Sequence, residues 1–320
     1  MRIAVIGCGS IGKKHLANLV QLGYQNILAY DPIEACRKAV AAEFGVLVYA
    51  EACEVWARRP EVTLVTTPSH LHVSCALQAA SIGSHLFIEK PVSHDLEQLD
   101  LLARLVNEKQ LVTLVGCNMR FHPGPAQVKR WLEASAVGQV LSARLQTGSY
   151  LPRWRPGQDY YQSYSASPVH GGAVLDCIHE LDLALWLLGE ARVAAAITRP
   201  AVSLGLETDG LAEILLEHVS GAVSSVHLNF VQRNYRRGLQ IIGSTGSIEW
   251  EWSTAHAYWY GPEGDVVESV AQPADWLVNQ MYLDELRHFL TCVQTTMPTI
   301  NPLDTATETL RLALTVRSKQ

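Results

Sequence analysis

Residues 2–12, RIAVIGCGSIG, place a short apolar run directly before Gly7-Cys8-Gly9-Ser10-Ile11-Gly12, and a helical pattern follows at once. Three glycines at this spacing between a strand and a helix leave few folds open. The first allows a tight turn, the second lets backbone approach a bound group, and the third lets the helix pack closely on the strand. The helix that opens there presents N–H groups and a positive dipole end, which suit phosphates. Residues 10–22 carry Ile11, His15, Leu19 and Leu22 at helical spacing, and Gly23 stops the run. An acid, Asp31, closes the next strand-like run, NILAYD (26–31). An acid there accepts hydrogen bonds from ribose hydroxyls and repels a 2′-phosphate. The pattern therefore predicts a dinucleotide site that prefers NAD to NADP, with Gly7, Gly9, Ser10, Ile11, Gly12 and Asp31 as ligands. Arg37 and Lys38, shortly downstream, weaken that preference.

The rest of the first 118 residues repeats the alternation. Strand candidates are VLVY (46–49), VTLVTTP (62–68), HLFIEKP (85–91) and LVTLVGCN (111–118), separated by helical stretches near 51–58, 70–82 and 95–109. Near-continuous apolar strands between helices read as a doubly wound parallel sheet covered on both faces. After about residue 120 the rhythm changes. A helix is predicted over 123–134, a strand over 139–149, an aromatic loop over 150–168, and a helix through GGAVLDCIHELD (171–182). Strands follow near 192–199, 211–219, 222–231, 238–243, 247–252 and 257–261, with helices near 275–295 and 303–318. This predicts an α/β chain of two domains: a Rossmann domain over 1–119, and over 120–320 an α/β substrate and oligomerisation domain with a large, mostly antiparallel open sheet. The last helix is free to pack back on the first domain.

With 48% hydrophobic residues in 320, the chain can bury a substantial core. Its net charge of −6 argues against a nucleic-acid binder, which needs a basic face. The seven cysteines form no CxxC pair and sit mostly in apolar runs, as reduced core residues of a cytoplasmic protein would. No run approaches the length of a membrane span and no secretory leader is evident, so no membrane role is expected; no metal is expected either.

Two segments carry candidate chemistry. Lys90 stands at the carboxyl end of a predicted parallel strand, where ligands bind in open α/β sheets, and Pro91 restricts it to extended backbone. An ammonium beside a cationic nicotinamide is expected to have a lowered pKa and to take a proton from a hydroxyl. In GGAVLDCIHELD, Asp176 and His179 are three apart and share a face of the predicted helix. His179 is the candidate second acid/base and Asp176 its orienting acid or a ligand for a substrate hydroxyl. Asp182, a turn further, reads as structural. Arg120, in CNMRFHP with Asn118, is a fixed-charge donor for cofactor amide or substrate oxygens.

The order GxGxxGxxH (Gly7 to His15), TPxxxH (Thr67, Pro68, His72), Glu89-Lys90-Pro91 and the GG…D…H…D helix resembles the Gfo/Idh/MocA oxidoreductases over essentially the whole chain. The resemblance implies a Rossmann domain joined to an open-sheet α/β domain. It also implies oxidation or reduction of a carbinol carbon in sugars, inositols or nucleotide sugars. It adds a cis Lys90–Pro91 bond, Thr67, Pro68, His72 and Glu89 beside the nicotinamide, and dimers or tetramers formed through the sheet. His72 and His122 are otherwise read as structural. One departure matters: the commoner family pattern has the acid four residues before the histidine, and here the gap is three, which puts Asp176 in doubt more than His179.

On the substrate side, YLPRWRPGQDYYQSY (150–164) combines aromatics with arginines, among them Trp154, Arg155 and Tyr160. Such residues suit a sugar's C–H faces and hydroxyls, and equally an interface with a second subunit. NFVQRNYRRG (229–238) gathers Arg233, Arg236 and Arg237, which fit a diphosphate, or a strand edge kept from pairing. IEWEW (248–252) and AYWYG offer outward aromatics for a homodimer or homotetramer. Within the family, the WRPGxDY loop and the HELD form resemble those of surface-polysaccharide and lipopolysaccharide pathways. That implies oxidation of C3 of UDP-N-acetylglucosamine to the 3-keto sugar. A free-sugar or inositol dehydrogenase, and a non-catalytic dinucleotide sensor, are the alternatives.

Overall fold

The computed structural model describes every residue except Pro156, Gln158 and Gln320. The chain forms two compact units, residues 1–118 with 278–308, and residues 119–277 with 309–320. A single division near residue 119 therefore does not describe it.

The first unit is built on six parallel strands, β1 (Ile3–Ile6), β2 (Ile27–Tyr30), β3 (Leu47–Tyr49), β4 (Val62–Val65), β5 (His85–Glu89) and β6 (Thr113–Gly116), in the order β3-β2-β1-β4-β5-β6. Its helices are α1 (Ser10–Gln21), α2 (Glu34–Phe44), α3 (Ala52–Ala57), α4 (His72–Ser81) and α5 (Leu99–Glu108). Helix α2 was not anticipated, because its apolar residues are mostly alanines and only Val40 is buried. The strands are apolar throughout because both faces are covered. Ile3 and Val5 pack with Leu16 and Leu19 of α1, while Ala4 and Ile6 face Val55 and Cys75.

The second unit begins with α6 (Pro123–Glu133), β7 (Val140–Tyr150), α7 (Ala173–Asp176) and α8 (His179–Leu188). Then come β8 (Ala191–Pro200), β9 (Asp209–His218), β10 (Val223–Asn229), β11 (Val231–Gly243), β12 (Ser247–Glu251), β13 (His256–Tyr260) and β14 (Val266–Ala271). The eight strands run β14-β13-β12-β11-β7-β10-β9-β8, antiparallel except for β7 beside β10. Strand β14 was missed: its burial pattern is almost wholly exposed, so it carries no apolar alternation. NFVQRNYRRG is not a strand edge kept from pairing; most of it lies inside β11, where Arg236 and Arg237 pair with β7 after a register shift that follows Val231. IEWEW also faces the other way from the expectation. Ile248 and Trp250 are buried, while Glu249 and Glu251 alternate with them on the half-exposed face.

Two helices end the chain, α9 (Asn279–Thr295) and α10 (Leu303–Ser318). Helix α9 belongs to the first unit because Leu286, Phe289 and Leu290 pack into the core of β1, β4 and β5. Burying each such side chain contributes roughly 1.5–3 kcal/mol, which outweighs its position in sequence. Among the described residues no helix is long and apolar enough to cross a membrane.

Candidate active site

In the first unit the turn after β1 is held from beneath. The Gly7 N–H donates to the Tyr30 carbonyl at 2.8 Å, and the Thr66 hydroxyl donates to the Gly7 carbonyl at 2.7 Å. Gly7 has φ +99°, and a Cβ there would lie 2.9 Å from Thr66 backbone; a Cβ on Gly12 would lie 1.9 Å from the Gly7 carbonyl oxygen. Above Gly9, by contrast, there is open space, with nothing within 4 Å of a Cβ. Gly9 and Ser10 are exposed and Ile11 is half-buried, so the first N–H groups of α1 face outward. Asp31 is buried at the end of β2, its two oxygens accepting from the Cys8 N–H at 2.7 Å and the Ile33 N–H at 2.8 Å. Arg37 donates to the carbonyls of Asp31 and Pro32, and Lys38 pairs with Glu34 at 2.7 Å. Both basic groups that weakened the coenzyme preference thus have partners of their own. Open backbone over Gly9 beside a fixed carboxylate fits a pyrophosphate and a ribose diol.

Lys90 is half-buried directly after β5, and its bond to Pro91 is cis. Beneath it lies a buried polar cluster. The Glu89 carboxylate is 2.7 Å from His15 Nε2, and its other oxygen accepts the Lys90 backbone N–H at 3.2 Å. Burial opposes ionisation of Glu89, but the His15 hydrogen bond and the neighbouring positive groups outweigh it and hold the carboxyl below its usual range. His72 is buried with Nδ1 2.9 Å from the Pro91 carbonyl and Nε2 2.8 Å from the Thr67 carbonyl. It ties the loop after β4, which carries half-buried Thr67 and exposed Pro68, to the segment after β5. Burial lowers its pKa although both carbonyls favour the charged ring. The resemblance placed Glu89 and His72 beside the nicotinamide; the structure engages both from inside, as supports for the residues on either side, which is the structural role otherwise read for His72. Tyr282 of α9 was not anticipated. Burial pushes its phenol up to about 12, with Glu89 adding to the shift, and Lys90 and a hydrogen bond to Asn118 opposing it. Lys14 lies 4.0 Å over its ring.

In the second unit GGAVLDCIHELD is not one helix. Helix α7 ends at Asp176, Cys177 and Ile178 form a turn, and α8 starts at His179. The two pieces are pinned to different partners. The Val174 N–H donates to Asp209 at 2.8 Å, Arg317 Nε lies 3.2 Å from the same carboxylate, and Gly172, at φ +96°, passes so close that a Cβ would lie 2.2 Å from it. On α8, Glu180 pairs with Arg237 at 2.7 Å and Asp182 with Arg120 at 2.7 and 2.9 Å, all four largely buried. The premise that Asp176 and His179 share a helix face therefore does not hold. Instead the Tyr164 hydroxyl donates to Asp176, and His179, 8% exposed, heads the second helix. Arg120, expected as a donor to cofactor or substrate, gives Nε and one terminal nitrogen of its guanidinium to Asp182 in a fork.

A cavity of about 630 Å³ is lined by Ser149, Tyr150, Arg153, Trp154, Arg155, Asp176, Arg233 and Arg237, among others. It brings together Trp154, Arg155, Arg233 and Asp176 of the predicted site. Tyr160 lines a neighbouring cavity of about 350 Å³ with Trp154 and Arg155, and donates to the Leu204 carbonyl at 3.1 Å. Arg236 does not join them. Strand alternation turns it to the other face, where it meets Glu251 at 3.0 Å. Pro156 and Gln158 of the aromatic loop lie outside the described residues. Asp209 and Arg317, which hold the α7 turn, gave no signal in the sequence, since their partners are far away along the chain, and Tyr164 was read only as one aromatic of the loop over 150–164.

Residues 1–117 match the family described as an oxidoreductase family with an NAD-binding Rossmann fold, and residues 126–249 match the GFO/IDH/MocA C-terminal domain. The levoglucosan dehydrogenase of Pseudarthrobacter phenanthrenivorans is 28% identical over 78% of this chain and 73% of its own. The scyllo-inositol 2-dehydrogenase (NAD(+)) of Bacillus subtilis is 27% identical over the same shares. Among solved structures, a UDP-N-acetylglucosamine 3-dehydrogenase from Acidithiobacillus ferrooxidans superposes with a TM-score of 0.82 at 22% identity, covering 100% of this chain and 97% of that one. At that identity the likeness speaks for the fold alone.

Proposed function

Because this chain belongs to the Gfo/Idh/MocA family of NAD-binding oxidoreductases, we propose that it oxidises a secondary hydroxyl of a sugar or polyol to a ketone. The observation that carries this is the position of Lys90 at the carboxyl end of β5, in the sheet whose β1 and β2 end in the glycine turn and Asp31. The N–H groups at the start of α1 hold the pyrophosphate, Asp31 holds the adenosine ribose, and Thr67 and Pro68 flank the nicotinamide ribose. Bound NAD supplies the hydride acceptor. Lys90 takes the hydroxyl proton as the carbonyl forms, His179 is the second acid/base, and Asp176 binds a neighbouring hydroxyl. The protein acts in the cytoplasm as a homodimer or homotetramer, which light scattering on the purified protein checks.

For the substrate we favour C3 of UDP-N-acetylglucosamine, oxidised to the 3-keto sugar for lipid A or surface polysaccharide synthesis. The arginines around the Asp176 cavity support a nucleotide handle. A free-sugar or inositol substrate is the second reading, favoured by the activities named for the levoglucosan and inositol dehydrogenases that this chain resembles.

The test is NADH formation with UDP-sugars, free sugars and inositols, alongside thermal shifts with each in the presence of NAD. Lys90→Ala is expected to lower kcat by about 10²- to 10⁴-fold, the usual contribution of a positioned base, with NAD binding retained. Turnover left intact in that variant would overturn the role given to Lys90. NAD binding without turnover of any sugar would leave a dinucleotide sensor.

A further inference from the structure

We infer that Arg153, Arg155 and Arg233 form a subsite for a phosphate or diphosphate carried by the substrate. The inference rests on the proposed sugar dehydrogenase and names the feature by which it selects its substrate.

All three line the cavity that also holds Asp176. The Arg233 guanidinium carbon lies 3.8 Å from the centre of the Tyr150 ring and that of Arg153 lies 5.8 Å from the same ring. Arg153 also donates weakly to the Arg233 carbonyl, at 3.4 Å. Arg155 lies 5.6 Å over the ring of Tyr164, the residue whose hydroxyl donates to Asp176. Aromatic faces hold guanidinium groups without neutralising them. Among the described residues none of the three forms an ion pair with a carboxylate. Arg237, the fourth arginine lining the cavity, is matched by Glu180, which leaves three guanidiniums facing a single acid, Asp176.

Like charges gathered around one cavity repel unless an anion lies between them. Planar guanidinium forks fit phosphate oxygens, and such charged hydrogen bonds are about twice as strong as neutral ones. The chain as a whole carries a net charge of −6, so this positive site is local and does not reflect a general surface excess. The volume, about 630 Å³, falls within the range of roughly 300–1,000 Å³ in which pockets enclose extended ligands, and leaves room beside a sugar ring for its anionic substituent.

The experiment compares UDP-N-acetylglucosamine, N-acetylglucosamine 1-phosphate and neutral N-acetylglucosamine as substrates, and titrates UDP alone and inorganic phosphate into the NAD-loaded protein. The expected result is that UDP binds, that phosphorylated sugars have the higher kcat/KM, and that Arg233→Gln or Arg155→Gln weakens UDP by about 10- to 100-fold. The ratio of kcat/KM for phosphorylated over neutral sugar then falls by a similar factor. A response to inorganic phosphate equal to that of UDP would mean that the arginines take any small anion and would overturn the assignment to a substrate handle. No binding of UDP, or a UDP affinity indifferent to both arginines, would overturn it outright. Turnover of neutral sugars with no gain from phosphate would reject the subsite and leave the dehydrogenase standing, whereas UDP binding without turnover of any sugar would reject the dehydrogenase and leave the subsite.

Discussion

Asp31 is held by two backbone N–H groups, so its carboxylate reaches a bound ribose without first losing side-chain freedom. Replacing Asp31 by Ser keeps a small acceptor and removes the charge that repels a 2′-phosphate. The ratio of kcat/KM for NAD over NADP is expected to fall by about 10- to 100-fold, read from initial rates with both coenzymes. This residue was legible in the sequence because its role depends on local order: a strand, a glycine turn, a helix, and an acid at the end of the next strand. The arginines after residue 229 were only half legible. Their charge is visible in sequence, but β11 alternates, so Arg233 and Arg237 face the Asp176 cavity and Arg236 faces Glu251. Taken together as a diphosphate site or an unpaired strand edge, the three gave no reason to be separated.

At the scale of elements, α8 is fastened by two buried ion pairs, Arg120–Asp182 and Arg237–Glu180. Burial and Glu180 act in opposite directions on Arg237; Glu180 prevails and its pKa is raised. Removing one partner of such a pair leaves an uncompensated charge in the interior, at a cost of about 3–5 kcal/mol. Arg120→Ala is therefore expected to lower the stability of the folded protein by that amount in urea unfolding. Arg120→Ala combined with Asp182→Ala is expected to recover part of the loss. A direct substrate contact predicts the opposite pattern, a raised KM at unchanged stability. The motif GG…D…H…D was readable as a constellation, yet not its geometry. The break at Cys177 follows from Asp209 and Arg317 holding one side and Arg120 and Arg237 the other, partners that lie outside the segment itself.

For the molecule as a whole, acid should be destabilising through buried imidazoles. His122 accepts the Gly124 N–H at the start of α6 and is packed among Trp250, Trp252 and Trp276, with ring centroids 4.7–5.0 Å away. Burial, with Arg237 nearby, lowers its pKa from 6.5 to about 4. The folded protein keeps this ring neutral while the unfolded chain protonates it first as pH falls. The stability it contributes is therefore complete above about pH 6.5 and lost progressively towards pH 4, a change on the order of 3 kcal/mol. Urea midpoints measured across that window check it. His122→Asn retains a capping acceptor and is expected to flatten the slope, with the remainder set by His72, His218 and His288, which burial also holds down.

The sequence by itself determined the alternating first sheet, the dinucleotide turn, Asp31 and the strand-end lysine. Each follows from neighbours a few residues apart, and short-range backbone and apolar patterns are complete within such windows. Only the tertiary structure decided that α9 belongs with the first sheet, that β14 extends the second, and that Asp182 claims Arg120 while Tyr164 holds Asp176. The exposed β14 carries no apolar alternation to mark it, and the others depend on burial and charge pairing with groups outside their own segment, so no local spacing records which partner folding will bring near.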